Sequence, residues 1–125
     1  SRHDTLYCAA KLMEDPRAKT GGDPLDMLIV TGLIEIDPAN IDAAKAAVLD
    51  MMTETHKEDG CFVYEFSQQL DAPHRFRVYE EWRDGAALKA HSKSAHMAVF
   101  RAALDKVGVT SRDIAMFDGG EKTAI

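Results

Sequence analysis

Two β-patterned runs, joined by a turn and followed at once by a helix start, constrain this chain more than any other feature. Gly60 breaks the helical pattern before it, and Cys-Phe-Val-Tyr-Glu-Phe-Ser from Cys61 sets Phe62, Tyr64 and Phe66 on one face of a strand. Asp71-Ala72-Pro73-His74 carries turn chemistry. Arg75–Trp82 returns as a second strand, with Phe76, Val78, Glu80 and Trp82 alternating to one side. Asp84 then stands where an N-cap belongs, ahead of Gly-Ala-Ala-Leu-Lys-Ala-His. A strand ending in Trp82 therefore hands over to a helix carrying His91. The two rings are expected to wall one water-poor chamber.

The rest of the chain supplies the frame. Met27–Asp37 reads as a first strand, with Leu28, Val30, Ile34 and Ile36 on one side and Ile29, Thr31, Leu33 and Glu35 on the other. Both sides are largely apolar, which predicts cover on both. Gly32 interrupts the run and marks either a bulge or the close approach of a ligand. Asp37-Pro38 starts a helix, in which Ile41, Ala44, Val48, Met51 and Thr55 recur at helical spacing up to about His56-Lys57. The later helix should break at Ser92-Lys93-Ser94, where Ser94 caps a second segment that turns Met97, Phe100, Leu104 and Val107 inward. Gly108 ends it, and Val109–Phe117 reads as the last strand.

The order is β-α-β-β-α-β, a ferredoxin-like α+β arrangement with an antiparallel sheet and helices on one face. The other sheet face needs a lid, and a second copy packed sheet against sheet would supply it as a homodimer. One domain is expected over residues 27–118, with a short polar tail at 119–125. Residues 1–26 show no sustained period and carry Pro16 and Gly21-Gly22-Asp23-Pro24, so they read as an N-terminal arm or an added leader.

Charge narrows the partners. The chain has 15 basic and 21 acidic residues and a net charge of −6, with no basic cluster. Phosphate neutralisation needs concentrated Lys and Arg, so nucleic acid and anionic membrane surfaces are disfavoured. No apolar run approaches the ~20 residues needed to span a bilayer, and no signal-like apolar segment opens the chain. Cys8 and Cys61 are the only cysteines, and their contexts give no support for a disulfide. A reduced cytoplasmic protein is the expectation.

An electron-rich phenol reacts with oxygen more readily once it has lost a proton, which calls for a base, a dry pocket and donors for the developing anion. His91 is the best base available, because imidazole titrates near neutral pH. On a helix begun at Asp84, Leu88, His91 and Ala95 share one stripe, and Trp82 offers a flat surface for a planar ring. Tyr64 and Glu80 meet if the hairpin pairs even-numbered positions, whereas a one-residue slip separates them. An inward Glu80 is costly to bury alone and is expected to hold Tyr64, His91 or Arg83. His96 is the weaker candidate of the helical pair, and His56 and His74 read as surface residues. His91 and His96 lie at i, i+5 across the helix break, and HxH, HExxH and CxxC are absent, so no dedicated metal site is expected.

Several blocks together resemble the antibiotic biosynthesis monooxygenase domain family, whose members include quinol monooxygenases. These are Gly60-Cys61, Tyr64-Glu65, Arg75-Phe76, Tyr79-Glu80-Glu81-Trp82, Ala90-His91 and Ser94-Ala95-His96-Met97, in that order, within a match over Met27–Phe117. The resemblance implies a dimeric α/β-barrel and an oxygenase with no metal, haem or flavin cofactor, acting on a small aromatic substrate with molecular oxygen. Counting both lines of reasoning, His91 and Trp82 are the catalytic candidates, and Tyr64, Glu80, Phe62, Leu88 and Phe100 the substrate-binding ones. Quinol-oxidising relatives often carry Asn where this chain has Cys61. Two alternatives stand beside this reading: a non-catalytic ligand-binding or interaction module on the same fold, and a haem-degrading monooxygenase.

Overall fold

In the computed structural model, which describes residues 27–125, seven elements follow one another. They are β1 (Leu28–Ile36), α1 (Ile41–Thr55), β2 (Cys61–Gln69), β3 (Ala72–Trp82), α2 (Gly85–Ser92), α3 (Ala95–Val107) and β4 (Val109–Asp118), with a single 3-10 turn at Pro38–Asn40 before α1. The expected arm over residues 1–26 lies outside the described residues. The strands form one antiparallel sheet in the order β2-β3-β1-β4. This is the α+β, ferredoxin-like topology expected from the order of patterns. Among the described residues, no helix is long and apolar enough to cross a membrane.

Register decides which residues meet. Tyr64 pairs with Glu80 and Val30 with Glu80 on the other side, so even-numbered positions of β1, β2 and β3 share a face. That face is the core: Leu28, Ile34, Ile36, Tyr64, Phe76, Val78 and Trp82 are buried together with Ala44, Val48 and Met51 of α1 and Phe100, Leu104 and Val107 of α3. Each large apolar side chain so buried contributes about 1.5–3 kcal/mol. Among the described residues, no helix covers the odd-numbered face. Ile29, Thr31 and Leu33 are half-buried there, and Phe117 is 53% exposed.

Helix ends follow the expected caps. Asp84 accepts from Ala87 N at 2.9 Å and starts α2. Ser94 accepts from Met97 N at 3.2 Å and starts α3, so the chain breaks where the Ser-Lys-Ser stretch predicts.

Three expectations are corrected. The hairpin turns at Leu70-Asp71, not over Asp71–His74, because Gln69 pairs with Ala72 and the register then slips before Gln68 meets Phe76. Pro73 is tolerated in β3 because β1 reaches only as far as Arg75, leaving no ladder bond for a proline nitrogen to miss. Gly32 does not bulge, and the close approach it allows is that of a strand. It lies against β4, where a Cβ would sit 2.0 Å from Asp113 O. Phe62 leaves the face of Tyr64 and Phe66, because the register slips between Cys61 and Val63, and it is 58% exposed.

Candidate active site

At the end of the sandwich where β2 starts and β3 finishes, polar groups enter the core. Trp82 is fully buried, and its indole Nε1 donates to Glu80 Oε1 at 2.8 Å. The bond satisfies the one donor of an indole that could not otherwise be enclosed. Glu80 is itself buried, and burial pushes its carboxyl up to about 7, against the downward pull of the Trp82 hydrogen bond and of Arg112; Glu58 adds to the rise. Across the strand pair, burial likewise raises the Tyr64 phenol well above its ordinary value, with Glu80 and Glu58 assisting.

His91 comes down from α2 onto these residues. Its ring packs on Trp82 with centroids 4.7 Å apart and planes 40° apart, and on Tyr64 at 5.3 Å. Its Nδ1 lies 2.6 Å from Glu58 Oε2. An ionised carboxylate can only accept, so Nδ1 carries the proton and Nε2 keeps its lone pair. Burial lowers the His91 pKa below 6.5, opposed by the Glu58 hydrogen bond and charge, which favours the neutral, proton-accepting ring. His96 Nε2 approaches the same Glu58 oxygen at 2.8 Å. These three side chains therefore converge on one point and could together hold a metal ion.

Gly60 makes the convergence reachable. Its φ is +83°, Arg83 N donates to its carbonyl at 2.8 Å, and a Cβ there would stand 2.6 Å from Ala87 Cβ. Only a glycine lets the loop carrying Glu58 press so close to the first turn of α2. Gly60→Ala is accordingly expected to destabilise the fold by about 2 kcal/mol, from the left-handed backbone plus the Ala87 contact. Urea denaturation measures this, and a loss within error of zero would contradict the packing described.

Tyr64, Glu80, Trp82 and His91 are thus brought together, and Leu88 is buried one turn before His91 on the same helix. Phe100 connects more remotely: Tyr64 contacts Phe66 at 5.7 Å, and Phe66 contacts Phe100 at 5.8 Å. Phe62 stays outside the buried cluster. Ala95 is exposed, since the break ends the stripe it was expected to share. His56 Nε2 bonds the Tyr64 carbonyl at 2.7 Å, which ties the end of α1 to β2. Glu80 serves the indole, and the carboxylate on His91 is Glu58. Sequence reasoning missed Glu58, whose only signal was its place between a helix end and Gly60.

No open chamber separates Trp82 from His91. A planar ring between them would need roughly 7 Å, twice the ~3.5 Å contact distance of carbon atoms, and the observed spacing is 4.7 Å. A crevice with about 10 Å³ of free space lies further along the core, lined by Ile34, Val48, Phe66, Phe76, Phe100 and Leu104 among others. Its walls are apolar, and the Phe66–Tyr64 contact links it to His91.

Comparison with known proteins agrees on the architecture. A family model described as antibiotic biosynthesis monooxygenase matches residues 27–103. YcnE of Bacillus subtilis (strain 168), provisionally named a monooxygenase, is 24% identical over 76 residues, which cover 61% of this chain and 80% of that protein. A Deinococcus radiodurans structure, provisionally named an antibiotic biosynthesis monooxygenase, superposes with a TM-score of 0.73 at 24% identity, covering 78% of this chain and 97% of that one. A Caulobacter crescentus CB15 structure with the same provisional name gives 0.73 at 22% identity, over 78% and 93%.

Proposed function

The chain belongs to the antibiotic biosynthesis monooxygenase family, and from that premise we propose that it oxidises a quinol-like or phenolic aromatic with molecular oxygen, without a metal, haem or flavin. The observation that carries the reading is the held imidazole: Glu58 fixes His91 Nδ1, while the ring lies against Trp82 and Tyr64 in a buried setting. A neutral imidazole of lowered pKa is a base suited to work near neutral pH.

The chemistry balances without another reductant. His91 Nε2 accepts the phenolic proton, and the phenolate passes electrons to oxygen. Carbon–oxygen bond formation and loss of water then convert a hydroquinone and O₂ into a hydroxyquinone and one H₂O. All four electrons come from the substrate. Trp82 and Tyr64 supply flat apolar contact and exclude water from the charged intermediate. Since the apolar crevice is too small for a ring as it stands, substrate enters by parting Phe66 and Phe100 along it. Phe100 lines that route, Leu88 is buried one helical turn before His91, and Glu80 holds the indole steady. In the same reading a second copy covers the open sheet face, where Ile29, Leu33 and Phe117 leave apolar surface.

The closed Trp82–His91 contact favours a second reading, a small-ligand binding module without turnover. Oxygen uptake with a panel of simple hydroquinones, in buffer stripped of metals, separates the two. Uptake above the buffer rate is expected for at least one member. No uptake across the panel, from protein that still binds these phenols, would leave only the binding module.

A further inference from the structure

We propose that Glu58, His91 and His96 form a site for one divalent transition-metal ion of the zinc type. The donor atoms, His91 Nδ1, His96 Nε2 and a Glu58 oxygen, lie within 4.8 Å of one another. Three separate segments deliver them: the loop after α1, the last turn of α2 and the first turn of α3. Spacing along the sequence argues against this meeting, since five residues of unbroken helix turn a side chain by about 500°, well off the starting face. The break at Ser92-Lys93-Ser94 removes that objection. Ser94 Oγ donates to His91 O at 2.8 Å and accepts from Met97 N, folding the first turn of α3 back so that His96 faces Glu58.

Chemistry and access both suit a cation. Two imidazoles and a carboxylate are a donor set for zinc, cobalt, nickel or copper, rather than for magnesium or calcium, which take oxygen ligands. Among the described residues, Glu58 has no lysine or arginine ion pair; its partners are the two imidazoles. Arg101 exerts the smallest of the electrostatic influences on His91, and its guanidinium is tied to Ser92 O at 2.9 Å. Side-chain exposure grades from 3% at His91 through 16% at Glu58 to 21% at His96, a closed floor with an open rim. An ion entering past His96 would keep a coordination position for water. Bond lengths near 2.0–2.2 Å at tetrahedral angles separate donors by roughly 3.4 Å. Glu58 must therefore draw back by somewhat more than half an ångström from its present 2.6 and 2.8 Å contacts, and the two imidazole nitrogens, within 4.8 Å of each other, must settle at the same spacing.

Coordination through Nδ1 leaves the ring proton of His91 on Nε2. On the oxygenase reading, the loaded site and the proton-accepting site are then alternative states of the same three residues. Metal binding itself does not rest on that reading.

Chelator-treated full-length protein, titrated calorimetrically with Zn²⁺ alone, is expected to take up one ion per chain. His96→Ala and Glu58→Gln are each expected to weaken that binding at least ~10-fold, the lower range for disturbing a metal site, while His74→Ala leaves it unchanged. Co²⁺ added to the wild type should develop the visible bands of a four-coordinate ion, and these should vanish in both variants. His96 is partly exposed, so its loss is tolerable to the fold, and Glu58→Gln preserves shape if it is not. Absence of Zn²⁺ uptake, or uptake indifferent to both substitutions, would overturn the proposal. Neither result depends on substrate or oxygen, so it leaves the oxygenase reading to be judged by its own assay.

Discussion

His91→Asn is expected to lower turnover of a hydroquinone by about 100- to 10,000-fold, the range for removing a positioned base. Asparagine keeps a side-chain donor near the position of Nδ1 and so preserves the bond to Glu58, but it has nothing in place of Nε2. The loss should fall on kcat, with KM little changed, since Trp82 and Tyr64 still provide the ring contacts. Trp82 is the only tryptophan in the chain and touches His91, so its fluorescence reports the integrity of the site in each variant. A variant that emits like the wild type and still turns over at the wild-type rate would remove His91 from the chemistry.

Glu80→Gln is expected to make the protein more stable at pH 8, by about 3 kcal/mol. The folded-state pKa of Glu80 is raised from 4.5 to about 7. Between those values the native state binds a proton that the unfolded chain has lost. The contribution is fully present below pH 4.5 and declines as pH rises through 7, and at 1.36 kcal/mol per unit it amounts to about 3 kcal/mol. Gln resembles the protonated acid, keeps an oxygen for Trp82 Nε1 and cannot ionise. The two proteins should therefore match near pH 4.5 and diverge above it. Tyr64 across the strand pair, Glu58 from the loop and Arg112 on β4 face the same group, and all remain in both proteins, so the difference isolates position 80. His91 works in the opposite sense, its lowered pKa costing stability as pH falls below 6.5, and it too cancels in the comparison. Parallel urea midpoints at pH 5 and pH 8 would refute the buried, proton-retaining carboxyl.

Alternation and capping made the architecture legible. Phe76, Val78, Glu80 and Trp82 alternate without interruption, and Asp37, Asp84 and Ser94 mark helix starts by side-chain chemistry that acts within three residues. Local signals of that kind survive folding. What could not be read depended on longer contacts. The bulge that exposes Phe62 is set by how β2 registers on β3, and the same strand pairing moves the turn to Leu70-Asp71. Gly32 answers to β4, about eighty residues away in the chain.

The site was half legible for a similar reason. Trp82 and His91 are neighbours in sequence order, so their meeting follows from strand-then-helix geometry. Glu58 reaches His91 only because Gly60 lets a loop press onto α2, and His96 joins only because the helix breaks. The break itself was legible at Ser92-Lys93-Ser94, but nothing in the pattern told that it turns His96 toward Glu58, or that Gly60 lets the loop close. The absence of an open chamber between the two rings is likewise a packing outcome, fixed by how closely α2 settles on the end of β3.

Oxygen isotope incorporation tests the proposed reaction most directly. With ¹⁸O₂, wild-type protein and a turned-over hydroquinone, each hydroxyquinone molecule should carry one heavy oxygen atom, with the other released as water. Products free of ¹⁸O, with oxygen recovered as hydrogen peroxide, would contradict oxygen insertion and reduce the protein to an oxidase or a bystander.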